Sequence, residues 1–200
     1  MYSEEEKRIL MDKKNARLHN LVMYGMRNTG DKILEKIFYE YGTNIFRRCS
    51  APANHSEKIF ADTMKGLDTA VEIGTLNGIT AAVMTQFVKH VHTFDIIDYE
   101  NKWKLWEFLN VKDKITFHLI ENELDKYDIL DKLTFDIAYI DGDHLHHTWS
   151  DFLATRKCGK IIIHETDYEI GEPIKLANAL KKYGKVVFNQ DNSIAYWEKR

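Results

Sequence analysis

Three segments of the 200-residue chain place acidic, hydroxyl or imidazole side chains directly after short apolar runs. The first reads Val71-Glu72-Ile73-Gly74-Thr75-Leu76-Asn77-Gly78-Ile79-Thr80. Glycine permits a tight turn and lets a ligand approach the main chain with no Cβ in the way. The spacing here is Glu-x-Gly-x-x-x-Gly. It differs from the Gly-x-Gly-x-x-Gly that accommodates a pyrophosphate, and it lacks the Lys-Ser/Thr of a triphosphate-binding loop. A carboxylate at Glu72 would repel a phosphate but could hold a cationic ammonium group. The competing reading is an ordinary strand-to-helix turn. The second segment, Thr93-Phe94-Asp95-Ile96-Ile97-Asp98, puts Asp95 23 residues after Glu72. That is close to the ~20-residue offset at which an acidic side chain meets a ribose diol. Asp98 competes for the role, and Asp95 is favoured by the glycine turn upstream.

The third segment, Phe135-Asp136-Ile137-Ala138-Tyr139-Ile140-Asp141-Gly142-Asp143-His144, delivers Asp141 and His144 at Asp-x-x-His spacing. A carboxylate and an imidazole within reach of one site can divide two tasks, one ligating a cation and the other taking a proton. Farther on, Ile161-Ile162-Ile163-His164-Glu165-Thr166-Asp167 ends another apolar run in ligand types, so Asp141, His164 and Glu165 together could surround a divalent ion. A pair of solvated polar loops is the plainer alternative. His146 and His147 read as the start of a helix.

Short strands must carry these positions. Ala70–Ile73, Val91–Ile96, Ile115–Ile120, Phe135–Ile140 and Lys160–Ile163 are β-rich runs. Helical patterns lie between them at Ile79–Lys89, Asn101–Asn110, Asn122–Leu130 and His146–Lys157. Such alternation predicts βαβ crossovers and a mostly parallel, doubly wound α/β sheet covered on both faces. A helix over Glu172–Lys182 leads to Val186–Phe188, and Asp191-Asn192 turns into Ile194–Trp197, which predicts an antiparallel C-terminal hairpin and seven strands in all. In an open sheet of this kind ligands sit outside the carboxyl ends of the strands, where strand order reverses. Residues 1–66 read differently. They show helical periodicity and no strand, from a capped start at Ser3 to a short helix over Ser56–Lys65. They form an N-terminal helical extension, a lid or a surface for homo-oligomer contact, ahead of a domain over 67–200.

The balance of 28 basic against 31 acidic residues points to neither nucleic acid nor an anionic membrane as a partner. No apolar stretch reaches the ~18 residues of a membrane span. The start Met-Tyr-Ser-Glu-Glu-Glu lacks the pattern of a secretory signal. Cys49 and Cys158 are isolated, and read as reduced thiols of a cytoplasmic protein.

Together, Val71–Thr80, the acidic strand end at Asp95, and Phe135–His144 resemble class I S-adenosylmethionine-dependent methyltransferases, a Rossmann-like family. Within it the sequence is most similar to small O-methyltransferases of antibiotic-tailoring type, with Ile-Asp-Gly-Asp-His the most specific piece. The resemblance covers about Leu67 to Arg200. It implies S-adenosylmethionine as cofactor, held by the turn of Glu72, Gly74, Thr75, Asn77 and Gly78, with Glu72 near the ammonium. It assigns the ribose to Asp95, beside Ile96, and the adenine to Glu121 and Asn122. Asp141 becomes a cofactor contact and a metal ligand or substrate-orienting acid, and His144 the general base. The expected acceptor is a hydroxyl of a small molecule or sugar. Members that bind magnesium usually show adjacent acidic residues after the fifth strand; here the pair is His164-Glu165. Magnesium is still the first expectation for a cation, although imidazole is a softer ligand than it prefers. Two rivals share much of the pattern. A nicotinamide-dependent oxidoreductase would use the same fold and Asp95 but a different glycine spacing, and a cofactor-binding protein without catalysis would keep the turn alone.

Overall fold

The computed structural model describes residues 56–122, 124–143, 145–167, 171–189 and 192–200. Most of the N-terminal extension, Cys49 and His144 therefore lie outside the described residues. The described chain begins with α1 (Ser56–Met64), followed by β1 (Leu67–Ile73), α2 (Ile79–Met84), β2 (Val88–Asp95) and α3 (Glu100–Phe108). Then come β3 (Ile115–Leu119), α4 (Asp125–Lys132), β4 (Ile137–Ile140), α5 (Thr148–Thr155) and β5 (Lys160–His164). Helix α6 (Glu172–Leu180) and the strands β6 (Gly184–Phe188) and β7 (Ile194–Lys199) complete the order.

The seven strands form one sheet in the order β3-β2-β1-β4-β5-β7-β6. The first five are parallel, and β7 runs antiparallel between β5 and β6. This is the expected doubly wound sheet with its terminal hairpin. Strand order reverses between β1 and β4, so the carboxyl ends of those two strands flank the crevice in which open α/β sheets take ligands.

Apolar runs without alternation are what a sheet buried on both faces requires. Val71, Ile73, Phe94, Ala138, Ile140, Ile161 and Ile163 pack on one face with Leu130 of α4, Phe152 of α5 and Leu176 of α6. Ala70, Val91, Tyr139 and Ile162 pack on the other with Phe60 and Met64 of α1, residues 79 and 81–84 of α2, and Trp106 of α3. The segment 56–64 thus contributes two fully buried side chains to the domain core.

One helix is shorter than its sequence predicts. The pattern Ile79–Lys89 reads as a single helix, but α2 stops at Met84, and β2 starts at Val88, three residues ahead of the expected Val91. Thr85 closes α2 by bonding back to Ala82 O at 2.7 Å. Leu67 then pairs with Val88, which draws residues 88–90 into the ladder. Tertiary pairing overrides a weak helical pattern here.

Candidate active site

The β1–α2 turn is shaped by two close approaches. Gly74 N donates to Phe94 O and Asp141 N to Ile73 O, both at 2.9 Å, so main chain from β2 and β4 converges on the end of β1. Gly74 has φ +101°, and a Cβ there would lie 2.3 Å from the Asp141 carbonyl oxygen. Gly78, at φ +72°, caps α2 and faces Trp106, whose ring atoms would lie 2.7 Å from a Cβ. Trp106 Nε1 donates to Gly78 O at 2.7 Å. Both glycines make the tight turn that the sequence predicts, and chain packed against chain fills both Cβ positions.

Asp95 ends β2 and reaches back to that turn. Its Oδ2 accepts from Leu76 N at 2.7 Å and its Oδ1 from Ile97 N at 3.1 Å. Asp98, the competing acid, bonds Lys102 and the Trp103 indole instead and is absent from the cavity wall. On β3's side, Asp125 holds the loop before α4, accepting from Glu121 N at 3.0 Å and Asn122 N at 2.9 Å. Asn122 in turn accepts from Leu124 N at 2.9 Å, a local ring of bonds akin to a capping box.

These loops enclose a cavity of about 700 Å³ at the carboxyl edge, spanning the reversal between β1 and β4. Gly74, Thr75 and Asn77 line it from the turn, Asp95 and Ile96 from the end of β2, and Glu121 and Asn122 from the end of β3. Asp141 and Glu165 close the far side. Ile97 and Tyr99 add an apolar rim beside the Asp95 carboxylate.

No protein-family model matches the chain, and no curated protein matches it. Solved structures do. A candidate caffeoyl-CoA O-methyltransferase from Staphylococcus aureus superposes with a TM-score of 0.70 at 13% identity, over 88% of this chain and 95% of its own. An O-methyltransferase from Bacillus cereus, in complex with SAH, gives 0.65 at 15% identity over 90% of this chain and 97% of its own. The O-methyltransferase TomG from Streptomyces achromogenes, in complex with SAM, gives 0.62 at 14% identity over 84% and 90%. The chain has the class I methyltransferase fold.

Within the methyltransferase fold two of the expected cofactor contacts sit off the cavity wall, as does His164 of the expected cation set. Gly78 is one, turned against Trp106. Glu72 is the other, fully buried beneath the turn. Thr93 Oγ1 donates to its Oε2 at 2.5 Å, and Thr93 in turn shares a 2.6 Å bond with Thr75, which does line the cavity. Glu72 therefore stands one hydroxyl pair away from the cavity, and its Oε1 is buried without a hydrogen-bond partner among the described residues. That oxygen keeps the capacity to accept a hydrogen bond from a donor placed against the turn.

Burial holds the Glu72 carboxyl well above its ordinary pKa of 4.5; the Thr93 bond acts in the opposite sense, and Asp141 and Asp95 add to the rise. A carboxyl raised on folding keeps its proton after the unfolded chain has lost it. Its contribution is therefore full below the unfolded value and falls as the pH climbs towards the folded one, by up to about 1.4 kcal/mol per pH unit. Glu72→Gln should flatten that slope, so its melting temperature should gain on the native protein steadily as the pH rises from about 5. A gap that stays constant with pH would mean that Glu72 is ionised in the folded chain.

Asp141 and His164 face each other, with Nδ1 and Oδ1 at 2.5 Å. Burial works against a charged His164, but Asp141, with Glu165 and Asp167, outweighs it and raises the imidazole pKa. Among the described residues, no group of three or more histidine, cysteine, aspartate or glutamate side chains is gathered to hold a metal ion. The expected set of Asp141, His164 and Glu165 is not gathered as such a group, and His164 Nδ1 is engaged with Asp141.

The structure also brings to the cavity two residues without a site role in the sequence. His147 caps α5 and lines the cavity, with Asp143 nearby at 3.8 Å. Asp151 lines it from below, paired with Lys126. Cys158, a free thiol, is pushed up by burial to a pKa of about 11, which agrees with an unreactive reduced cysteine. No described helix is long and apolar enough to cross a membrane.

Proposed function

We propose that this protein transfers a methyl group from S-adenosylmethionine to a hydroxyl of a small molecule or sugar. The observation that carries the reading is a single cavity at the sheet's reversal point that gathers the Gly74 turn, the Asp95 carboxylate and the Glu121-Asn122 loop. S-adenosylmethionine supplies an electrophilic methyl group on a sulfonium. The chain's own part is mostly placement. Asp95 can accept from two ribose hydroxyls on the lone pairs that its backbone donors leave over. Ile96, Ile97 and Tyr99 give an adenine an apolar edge, and Glu121 and Asn122 bound its polar one. Asp141, fixed by His164, orients the acceptor hydroxyl, and His144 takes its proton. The O-methyltransferase likeness of the superposed structures supports oxygen as the acceptor atom. Neither nucleic acid nor membrane is expected as partner, and the N-terminal extension takes the role of lid or oligomer contact.

Calorimetry tests the cofactor. S-adenosylhomocysteine should bind at least ~100-fold more tightly than NAD, because the turn lacks the glycine spacing for a pyrophosphate. Asp95→Ala should weaken S-adenosylhomocysteine at least ~10-fold through loss of charge-assisted hydrogen bonds. NAD bound more tightly would make the protein an oxidoreductase on a similar fold.

A further inference from the structure

Lys126 and Asp151 are both essentially excluded from solvent, and Nζ meets Oδ1 at 2.5 Å. The pair joins α4 to α5 below the cavity. A buried ion pair is an unprofitable way to hold two helices together, since apolar side chains of similar size often serve as well or better. What it supplies is register, because the attraction depends on distance and direction in a way that apolar packing does not.

Both ends of the pair lead to the cavity. Lys126 follows Asp125, whose carboxylate holds the main chain of Glu121 and Asn122. Asp151 abuts the opposite loop: its Oδ2 lies 3.2 Å from the position a Gly142 Cβ would take, and its N–H makes the first-turn bond of α5 to the N-cap residue His147, at 2.9 Å. Bonds thus link the loop after β3 through Lys126 to α5, and Asp151 packs beneath Gly142 of the loop after β4.

We propose that Lys126 and Asp151 are positioning residues that couple the adenine end of the cavity to the loop 141–147, which carries Asp141 and His144. The inference rests on the methyl-transfer reading, and it adds that occupation of one loop tightens the other. Coupling of this kind is commonly worth ~10-fold in an equilibrium.

Hydrogen exchange on the full chain tests it, with adenosine as the probe because it lacks the methionine part that would touch the 141–147 loop directly. In the native protein, saturating adenosine should slow exchange within 141–147 about tenfold, besides protecting 121–125. Lys126→Met should still bind adenosine within ~3-fold but lose the protection of 141–147. Should the lone buried carboxylate unfold that variant, Lys126→Met/Asp151→Leu removes both charges and keeps the helices packed. Full protection of 141–147 in the folded double variant would overturn the coupling, as would protection confined to 121–125 in the native protein. Failure of both adenosine and S-adenosylhomocysteine to bind would overturn the methyl-transfer reading itself, and the coupling with it.

Discussion

Replacing His144 with alanine should lower kcat by roughly 10²–10⁴-fold, the usual worth of a positioned base, with little change in cofactor affinity. The acceptor's proton leaves only as the methyl group moves, so the base acts mainly in the transition state. The loss should shrink at high pH, where the acceptor hydroxyl ionises without help. His147 supplies the control, since it lines the cavity three residues farther on. His147→Ala should leave the rate within about threefold, as a helix-capping residue would. Single-turnover rates and melting temperatures on both variants decide the matter. A destabilised His144→Ala with a normal rate per folded molecule would remove it from the chemistry, and a large loss in His147→Ala alone would move the base there.

Gly74→Ala should destabilise the fold by about 3–5 kcal/mol, combining a left-handed φ with a clash that main chain cannot relieve. The added methyl would meet the Asp141 carbonyl at 2.3 Å, and that peptide is tied to β1 through the Asp141 N to Ile73 O bond. Relief would require the ends of β1 and β4 to part, opening the cavity along its floor. Urea unfolding would show a lower midpoint with an unchanged slope. Normal stability with lost S-adenosylhomocysteine binding would instead restore the view that this glycine serves the ligand.

Strand identity and polarity were legible because they rest on local signals. Ile161-Ile162-Ile163 and Ile137–Ile140 are apolar runs of strand length, and both are fully buried strands in the sheet. Asp95 was legible because its distance from Glu72 follows from the length of one β-turn-helix-β crossover. The direction of each side chain was not. Glu72 and Asp95 share one face of adjacent strands, yet Glu72 lies within the core and Asp95 on the cavity wall, because Glu72 pairs with Thr93, two residues short of the strand end that Asp95 occupies. The nearness of Asp141 and His164 was legible once β4 and β5 were read as neighbouring strands, but their direct bond was not, as it depends on where each side chain turns. Lys126 and Asp151 look like solvated helix charges in the sequence. Only the packing of α4 against α5 buries them.

Asp95 also bears on how this chain could change over evolutionary time. Many folds of this kind trade an unphosphorylated ribose for a phosphorylated one by exchanging a strand-end acid for a cation. Here the same carboxylate holds Leu76 N, in a turn where Leu76 already takes a positive φ of 46°. An arginine at 95 would present a donor to a donor and release the turn that shapes the cavity. A switch of cofactor would therefore need a second substitution to re-anchor residue 76, and the intermediate would lose binding of either ligand. The latch makes the cofactor choice resistant to drift one mutation at a time.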